Sequence, residues 1–374
     1  MEINVMSAFN GMGCIWLALD KLKIKVNKRY SSETDKYANQ VNDKNYSNTI
    51  QLGDIKDVKG FDLEIIDLFV GGSPCQGFSY AGKQLAFDDP RSKLFFEYIR
   101  LLNEVRVINP NVKFLLENVD MSKNELRIIS EYLGVFPVLI NSNLLSAQNR
   151  KRWYWTNIRT KEVGLFSEKY TDIPQPEDKG ILLKDILQPE IEVDSKYYLK
   201  EKNITRGFEQ AKGKTWKSGN RMGQMEFPNY VHKKAKTLTT FQTEGGREIN
   251  HILTGIDING KSPTQRSSTG NCTDDKHNYQ IIKLDKSLNK KANQDKADFL
   301  TGGGNSGGNH SDMDIINISN GYRRLTPIEC ERLQTVPDNY TDCISDTQRY
   351  KMLGNGWTVD VIAHILSNLT LNKH

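Results

Sequence analysis

The chain has little of what marks extracellular, membrane or metal-binding proteins. Its five cysteines, at positions 14, 75, 272, 330 and 343, are odd in number and show no Cys-x-x-Cys spacing. Neither a disulfide framework nor a zinc site is indicated, and a reducing, cytoplasmic setting fits. No long apolar run occurs: stretches such as Ile65 to Val70 fall far short of the roughly 20 residues that span a bilayer. Met1 leads almost directly into a strand-like segment without a basic, then apolar, leader, so secretion and membrane insertion are not expected. Net charge is small, +5 from 51 Lys and Arg against 46 Asp and Glu. With 37% hydrophobic residues, 14 Phe, 15 Tyr and 5 Trp, the composition excludes wholesale disorder, and 374 residues can bury a core without staples.

The charge is unevenly spread. Between Lys196 and Lys236 eleven basic residues accompany three acidic ones, a local +8 that leaves the remainder at −3. A solvated surface and a phosphate-contacting patch both account for it.

Up to about residue 158, β-like and helix-like segments alternate, the pattern of a doubly wound parallel sheet. Ile3 to Phe9, a run ending at Ser32, Thr49 to Leu52, Ile65 to Val70, Phe114 to Leu116, Val135 to Ile140 and Trp153 to Thr156 read as strands. Ile15 to Leu22, Lys93 to Val107 and a segment through Leu133 read as helices. From about 165 to 320 the chain turns to Lys, Asn, Gly, Ser and Thr, as a separate smaller module would. Lys-Ala-x-x-Leu-Thr occurs there twice, at Lys234 and Lys296, a hint of duplicated binding loops. From Tyr322 the periodicity returns, with Pro327 opening a helix through Gln334 and Val359, Ile362, Ala363, Leu366 and Leu369 marking a last amphipathic helix.

Phe9-Asn10-Gly11-Met12-Gly13 lies where the first strand turns into the first helix. Two glycines there give either a tight turn or a close backbone approach to a ligand at a helix start. Glu33, twenty residues after Gly13, ends the second strand, where a carboxylate can accept from ribose hydroxyls; the third glycine of a dinucleotide fingerprint is missing, which argues against a pyrophosphate cofactor. Asp54 is either an adenine contact or a turn residue. Gly71-Gly72-Ser73-Pro74-Cys75-Gln76-Gly77-Phe78-Ser79 follows a buried strand, so Cys75 is a candidate nucleophile, the alternative being a small buried hydrophobe. Glu117-Asn118-Val119 ends the next strand and faces the same edge. In Gln148-Asn149-Arg150-Lys151-Arg152, strand alternation puts Gln148, Arg150 and Arg152 on one side.

These motifs in this order resemble the DNA (cytosine-5)-methyltransferase family, together with Arg324-Leu325-Thr326-Pro327 running into Glu329, Arg332, Leu333 and Gln334, and with Gly354-Asn355-Gly356-Trp357-Thr358-Val359. The motif loop Gln76-Gly77-Phe78-Ser79 is like bacterial and phage enzymes, whereas Leu94-Phe95-Phe96-Glu97 and Arg152-Trp153-Tyr154-Trp155 are somewhat like the vertebrate de novo branch. The resemblance implies an α/β, Rossmann-like S-adenosylmethionine-dependent fold, with a catalytic domain from 1–165 plus 320–374 and an inserted target-recognition domain at 166–319. It implies methyl transfer from S-adenosylmethionine, leaving S-adenosylhomocysteine, to C5 of a cytosine flipped out of double-stranded DNA. Cys75 is then the nucleophile at C6, Glu117 the acid at N3, Arg152 the partner of cytosine O2 and Arg150 the brace of the Cys75 loop. Phe9, Gly11, Gly13, Glu33, Asp54, Ile55, Pro74, Asn355 and Val359 would surround the cofactor, and Gln76, Ser79, Thr237 and Leu238 would meet DNA. No metal, no membrane, a monomeric state and a companion restriction endonuclease are the remaining expectations. A tRNA cytosine-5 methyltransferase of the same fold and a catalytically silent DNA-binding relative are the rivals. A nicotinamide dehydrogenase is disfavoured by the incomplete glycine fingerprint.

Overall fold

The computed structural model describes residues 2–73, 93–198 and 323–370, together with the backbone of the short strands Phe241–Gln242, Glu248–Ile249, Ala297–Asp298, Ile315–Ile318 and Gly321–Arg324. The elements that build the site are β1 (Glu2–Ala8), α1 (Cys14–Lys21), β2 (Lys25–Ser32), α2 (Lys36–Asn45), β3 (Thr49–Gln51), β4 (Leu68–Gly71), α3 (Lys93–Ile108), β5 (Lys113–Asn118), α4 (Lys123–Leu133), β6 (Val138–Asn141), β7 (Gln148–Asn149) and β8 (Lys151–Thr156). Beyond them come the hairpin β9 (Thr160–Val163) and β10 (Glu168–Thr171), then α5 (Leu183–Ile186), α6 (Pro327–Leu333), α7 (Asp346–Asn355) and α8 (Val359–Leu366).

Seven strands form one sheet in the order β3-β2-β1-β4-β5-β8-β6. The first five are mutually parallel, as the alternating segments predict. The sheet is nonetheless mixed, because β8 runs antiparallel to both β5 and β6. The expectation of an all-parallel sheet fails at this edge for want of a crossover helix: only a single 3-10 turn, Ser142–Leu144, and the two-residue β7 separate β6 from β8. So short a connection returns the chain beside its own strand. Helix α2 also goes unsignalled by periodicity. Few of its residues are apolar, and Asp35 starts it by accepting from the Tyr37 and Ala38 N–H groups.

Two apolar layers cover the sheet. One joins Met6, Phe69, Phe114 and Trp155 to α3 and α4. The other joins Ile3, Val5, Val70 and Leu115 to α1 and to Leu333, Leu353, Val359 and Ile362 from the far end of the chain. Residues 173 to 197 also enter it through Ile173, Leu183, Ile186, Val193 and Tyr197. None of the described helices is long and apolar enough to cross a membrane.

The C-terminal return is fixed by buried charge as well as by apolar contact. Glu329, within the Thr326 capping box of α6, accepts from both terminal guanidinium nitrogens of Arg323 at 2.7 and 2.8 Å, and the two side chains are 0% and 1% exposed. Its oxygens also accept from the N–H groups of Thr326 and Gln188. Four donors on one buried carboxylate tie β-strand, helix and the segment after α5 together. Glu329→Gln leaves Arg323 buried without its counter-charge, so it should lower unfolding free energy by about 3–5 kcal/mol, read as a lower denaturation midpoint at unchanged slope.

Candidate active site

Strand order reverses between β1 and β4, so the carboxyl ends of β2, β1, β4 and β5 open side by side at a topological switch point. Each predicted motif of the N-terminal half leaves the sheet at this edge. β1 continues into the Phe9–Gly13 turn, β2 into Glu33, β3 into Asp54, β4 into Gly72 and Ser73, and β5 ends on Glu117 and Asn118.

The turn after β1 is shaped for a ligand. Phe9 has φ +56° and Gly11 +56°; a left-handed phenylalanine stores strain that an ordinary turn has no need of. Gly13, also left-handed, packs where a Cβ would come within 2.9 Å of Asn42 Oδ1, the atom that accepts from Asn10 Nδ2 and Trp16 Nε1. Around Gly11, by contrast, no atom of the described residues beyond its chain neighbours lies within 4 Å of where a side chain would begin. Glu33 Oε2 accepts from the Gly11 N–H at 2.8 Å, and Oε1 from the Thr34 and Asp35 N–H groups. The three donors fix the carboxylate and, among the described residues, leave a lone pair of Oε2 for a hydroxyl partner. An open glycine turn beside an oriented carboxylate fits the nucleoside part of S-adenosylmethionine.

The other predicted cofactor contacts divide. Asp54 behaves as a turn residue, accepting from the Lys56 N–H and pairing with the Lys56 ammonium. Ile55 puts its side chain into the core, so only its backbone can face a ligand. Asn355 is exposed at the end of α7. Val359 is fully buried at the start of α8, and its N–H is taken by the Gln334 carbonyl. Trp357, two residues earlier in the same motif, faces the crevice instead.

Glu117 lies at the parallel–antiparallel boundary. β8 pairs Tyr154 with Glu117, so Arg152, two residues earlier on the same face, is a diagonal neighbour. Its Nε meets Glu117 Oε1 at 2.9 Å, both side chains being about nine-tenths buried. Trp357 Nε1 donates to Oε2 at 3.2 Å. Gly72, opposite the Glu117 end of β5, must lack a side chain, since a Cβ would stand 2.9 Å from Trp357 Nε1 and 3.0 Å from Glu117 Oε2. Asn118 Nδ2 donates to Ser73 Oγ and to the Ser73 carbonyl. The last described residue before Cys75 is thereby tied to the Glu117 strand.

The alternation predicted for Gln148, Arg150 and Arg152 holds: all three are buried while Lys151 is exposed. Arg150 donates to the carbonyls of Gly354 and Gly356, bracing the loop that carries Trp357. Burial, followed by the Arg152 charge, pushes the Arg150 guanidinium down from its ordinary value, and Glu117 opposes them. Gln148 Nε2 reaches the Leu333 carbonyl and the Gln334 side chain. Cys14, beneath this loop, is no rival nucleophile: burial pushes its thiol up to about 12, far from the depressed values of reactive cysteines. Cys75, Pro74, Gln76, Ser79, Thr237 and Leu238 lie outside the described residues.

Trp357, Gly72 and Asn118 received no role from the sequence, although each stands inside a quoted motif. An aromatic residue directly after two glycines in a loop was the available signal for Trp357.

Comparison with known proteins bears on the family and the fold. The Type II methyltransferase M1.ScrFI of Lactococcus lactis subsp. cremoris is 28% identical over 98% of this chain and 78% of its own. The orphan methyltransferase M.SPRI of Bacillus phage SPR is 28% identical over 98% of this chain and 97% of its own. Among solved structures, the Entamoeba histolytica methyltransferase EhMeth superposes with a TM-score of 0.61 at 14% identity, covering 98% of each chain, which supports the fold. The profile of the C-5 cytosine-specific DNA methylases matches residues 3–370, and the chain belongs to that family.

Proposed function

We propose that the chain methylates C5 of a cytosine turned out of double-stranded DNA at a specific sequence, using S-adenosylmethionine and a transient bond between Cys75 and C6. The observation that carries this reading is the Glu117 carboxyl group, gripped by Arg152 at the strand end beside Ser73, two residues before Cys75.

Cytosine C5 is too weakly nucleophilic to take a methyl group unaided. The Cys75 thiolate adds to C6, and the electron pair of the C5–C6 double bond moves toward the ring nitrogen. Glu117 delivers a proton to N3 as that charge develops, leaving a C5 carbon with enamine character. When bound, the methyl donor supplies the electrophilic sulfonium carbon that this C5 attacks. A base then removes the C5 proton, the C6–S bond breaks, and Cys75 and Glu117 return to their starting states. Arg152 orients Glu117 and meets cytosine O2. Glu33 and the open turn at Gly11 support the donor's nucleoside. Because C6 is shielded inside a base stack, the cytosine has to swing about 180° out of the duplex.

Target reading belongs, on this proposal, to residues 199–322, a narrower segment than 166–319. Residues up to Tyr198 pack into the catalytic core, and Tyr198 bridges to Arg323, so the chain leaves and re-enters at one point. The basic stretch after Lys196 supplies phosphate contacts. Type II names among the relatives favour a companion restriction endonuclease; the orphan name of the phage relative favours a solitary enzyme.

Labelled methyl transfer to duplex DNA and to tRNA separates the DNA reading from the RNA one, and bisulfite sequencing of host DNA finds the target. Cys75→Ala should abolish transfer and the covalent capture of 5-fluorocytosine DNA while leaving DNA binding intact; retained turnover would remove the adduct mechanism. Glu33→Ala should raise the KM for the methyl donor by about tenfold or more, as loss of hydrogen bonds to a charged group does, with kcat changed far less. Exchanging residues 199–322 for a relative's segment should move the methylated sequence, and an unmoved target would place the readers elsewhere.

A further inference from the structure

Once its backbone is fixed, Glu117 retains a soft rotation of the carboxylate about Cγ–Cδ, a torsion with broad wells. Arg152 at Oε1 locates one oxygen and leaves the carboxyl plane free to swing about that contact. The indole N–H of Trp357 at Oε2 supplies the second point that a plane needs. The ring lies close against Gly72, where a Cβ would come within 2.9 Å of Nε1, so it cannot shift toward β4. Its own loop is held by buried donors on successive carbonyls: Gln334 Nε2 on Leu353, Arg150 on Gly354 and Gly356, and the Cys14 thiol on Trp357 itself.

We propose that Trp357 is a positioning residue whose indole N–H sets the plane of the Glu117 carboxyl group for proton delivery to the pyrimidine ring nitrogen. The inference rests on the reading of Glu117 given above. A proton passed along a ring plane tolerates misalignment of only about 10–20°, and a carboxyl group with one anchor exceeds that. A phenylalanine would wall the crevice equally well, so the functional part of Trp357 is its donor.

The test is Trp357→Phe, assayed by labelled methyl transfer to duplex DNA at saturating donor and DNA. The kcat should fall about tenfold or more, the effect of losing one hydrogen bond to a charged group, while both KM values stay within about twofold. In a Glu117→Gln background the same substitution should change the residual rate by less than about twofold, since the indole acts through the carboxylate. An equal loss in both backgrounds marks a merely structural role and overturns the proposal. Gly72→Ala is the independent variant: its methyl group would stand 2.9 Å from the indole nitrogen and 3.0 Å from Glu117 Oε2 and forces that hydrogen bond apart, so kcat should fall similarly and not additively with Trp357→Phe. Melting temperatures near wild type for either variant establish that folding is not what is being read. Wild-type kcat in Trp357→Phe sinks the inference and leaves the proposed function standing. No methyl transfer by the wild-type protein takes down both.

Discussion

A carboxylate has to be kept oriented and nearly dry at the place where a parallel sheet gives way to an antiparallel strand. The pairing of Glu117 with Arg152 depends on that change of direction. A sixth parallel strand would begin at the far end of the sheet and bring only its last residues to the site. β8, entering at the crevice, brings its first ones, and the Arg150–Arg152 spacing presents two cations to one face. Burying them costs desolvation, recovered only where every donor finds an acceptor. Arg152 is compensated by its ion pair with Glu117 and by the Lys151 carbonyl that accepts from Nη1; Arg150 finds two carbonyls of the Trp357 loop. The second arginine therefore couples the C-terminal return of the chain to the catalytic edge, which explains why the two ends must share one core.

That core was legible in the sequence where periodicity reports burial, and illegible where polar contacts decide. The strands ending at Ser32, Gly71 and Asn118 could be read from apolar runs, and with them Glu33 and Glu117, because a residue that follows a buried strand is delivered to the sheet edge whatever its neighbours. Helix α2 escaped because its start is a side-chain cap at Asp35 and its buried residues are few. The direction of β8 escaped because alternation is the same in either sense. Trp357 escaped because the Gly354–Val359 motif carries no period to say which side chain looks inward. Gln334 decides that by holding the carbonyls of Leu353 and Gly356, 19 and 22 positions away, and taking the Val359 N–H.

The buried charges of the C-terminal segment follow one rule. Glu329 with Arg323, and Glu331 with Arg349, the Thr341 hydroxyl and the Asn339 and Thr341 N–H groups, are all saturated carboxylates. Apolar replacements of similar volume can be as stable as such pairs, so stability alone is a poor account of them. Their geometry is the better one. A leucine accepts any neighbour of suitable shape, whereas a carboxylate with four fixed donors accepts a single arrangement of α6, the loop after it and α7. The same loop sends the Tyr340 hydroxyl to the Met12 carbonyl, placing the C-terminal segment beneath the Phe9–Gly13 turn.

Arg323 also closes the neck of the intervening segment, through its bridge to Tyr198 and the neighbouring contact of Arg324 with the Lys196 carbonyl. Closing a loop costs an entropy that grows only with the logarithm of its length, about 0.6 kcal/mol per doubling. With the neck pinned by the catalytic core, residues 199–322 can change in length and composition at small cost to the fold that carries Glu117. Ala297–Asp298 pairs with β7, immediately before Arg150, so this segment also touches the strand that delivers the site's arginines. A segment pinned at this neck can vary without disturbing the strand that carries the site's arginines.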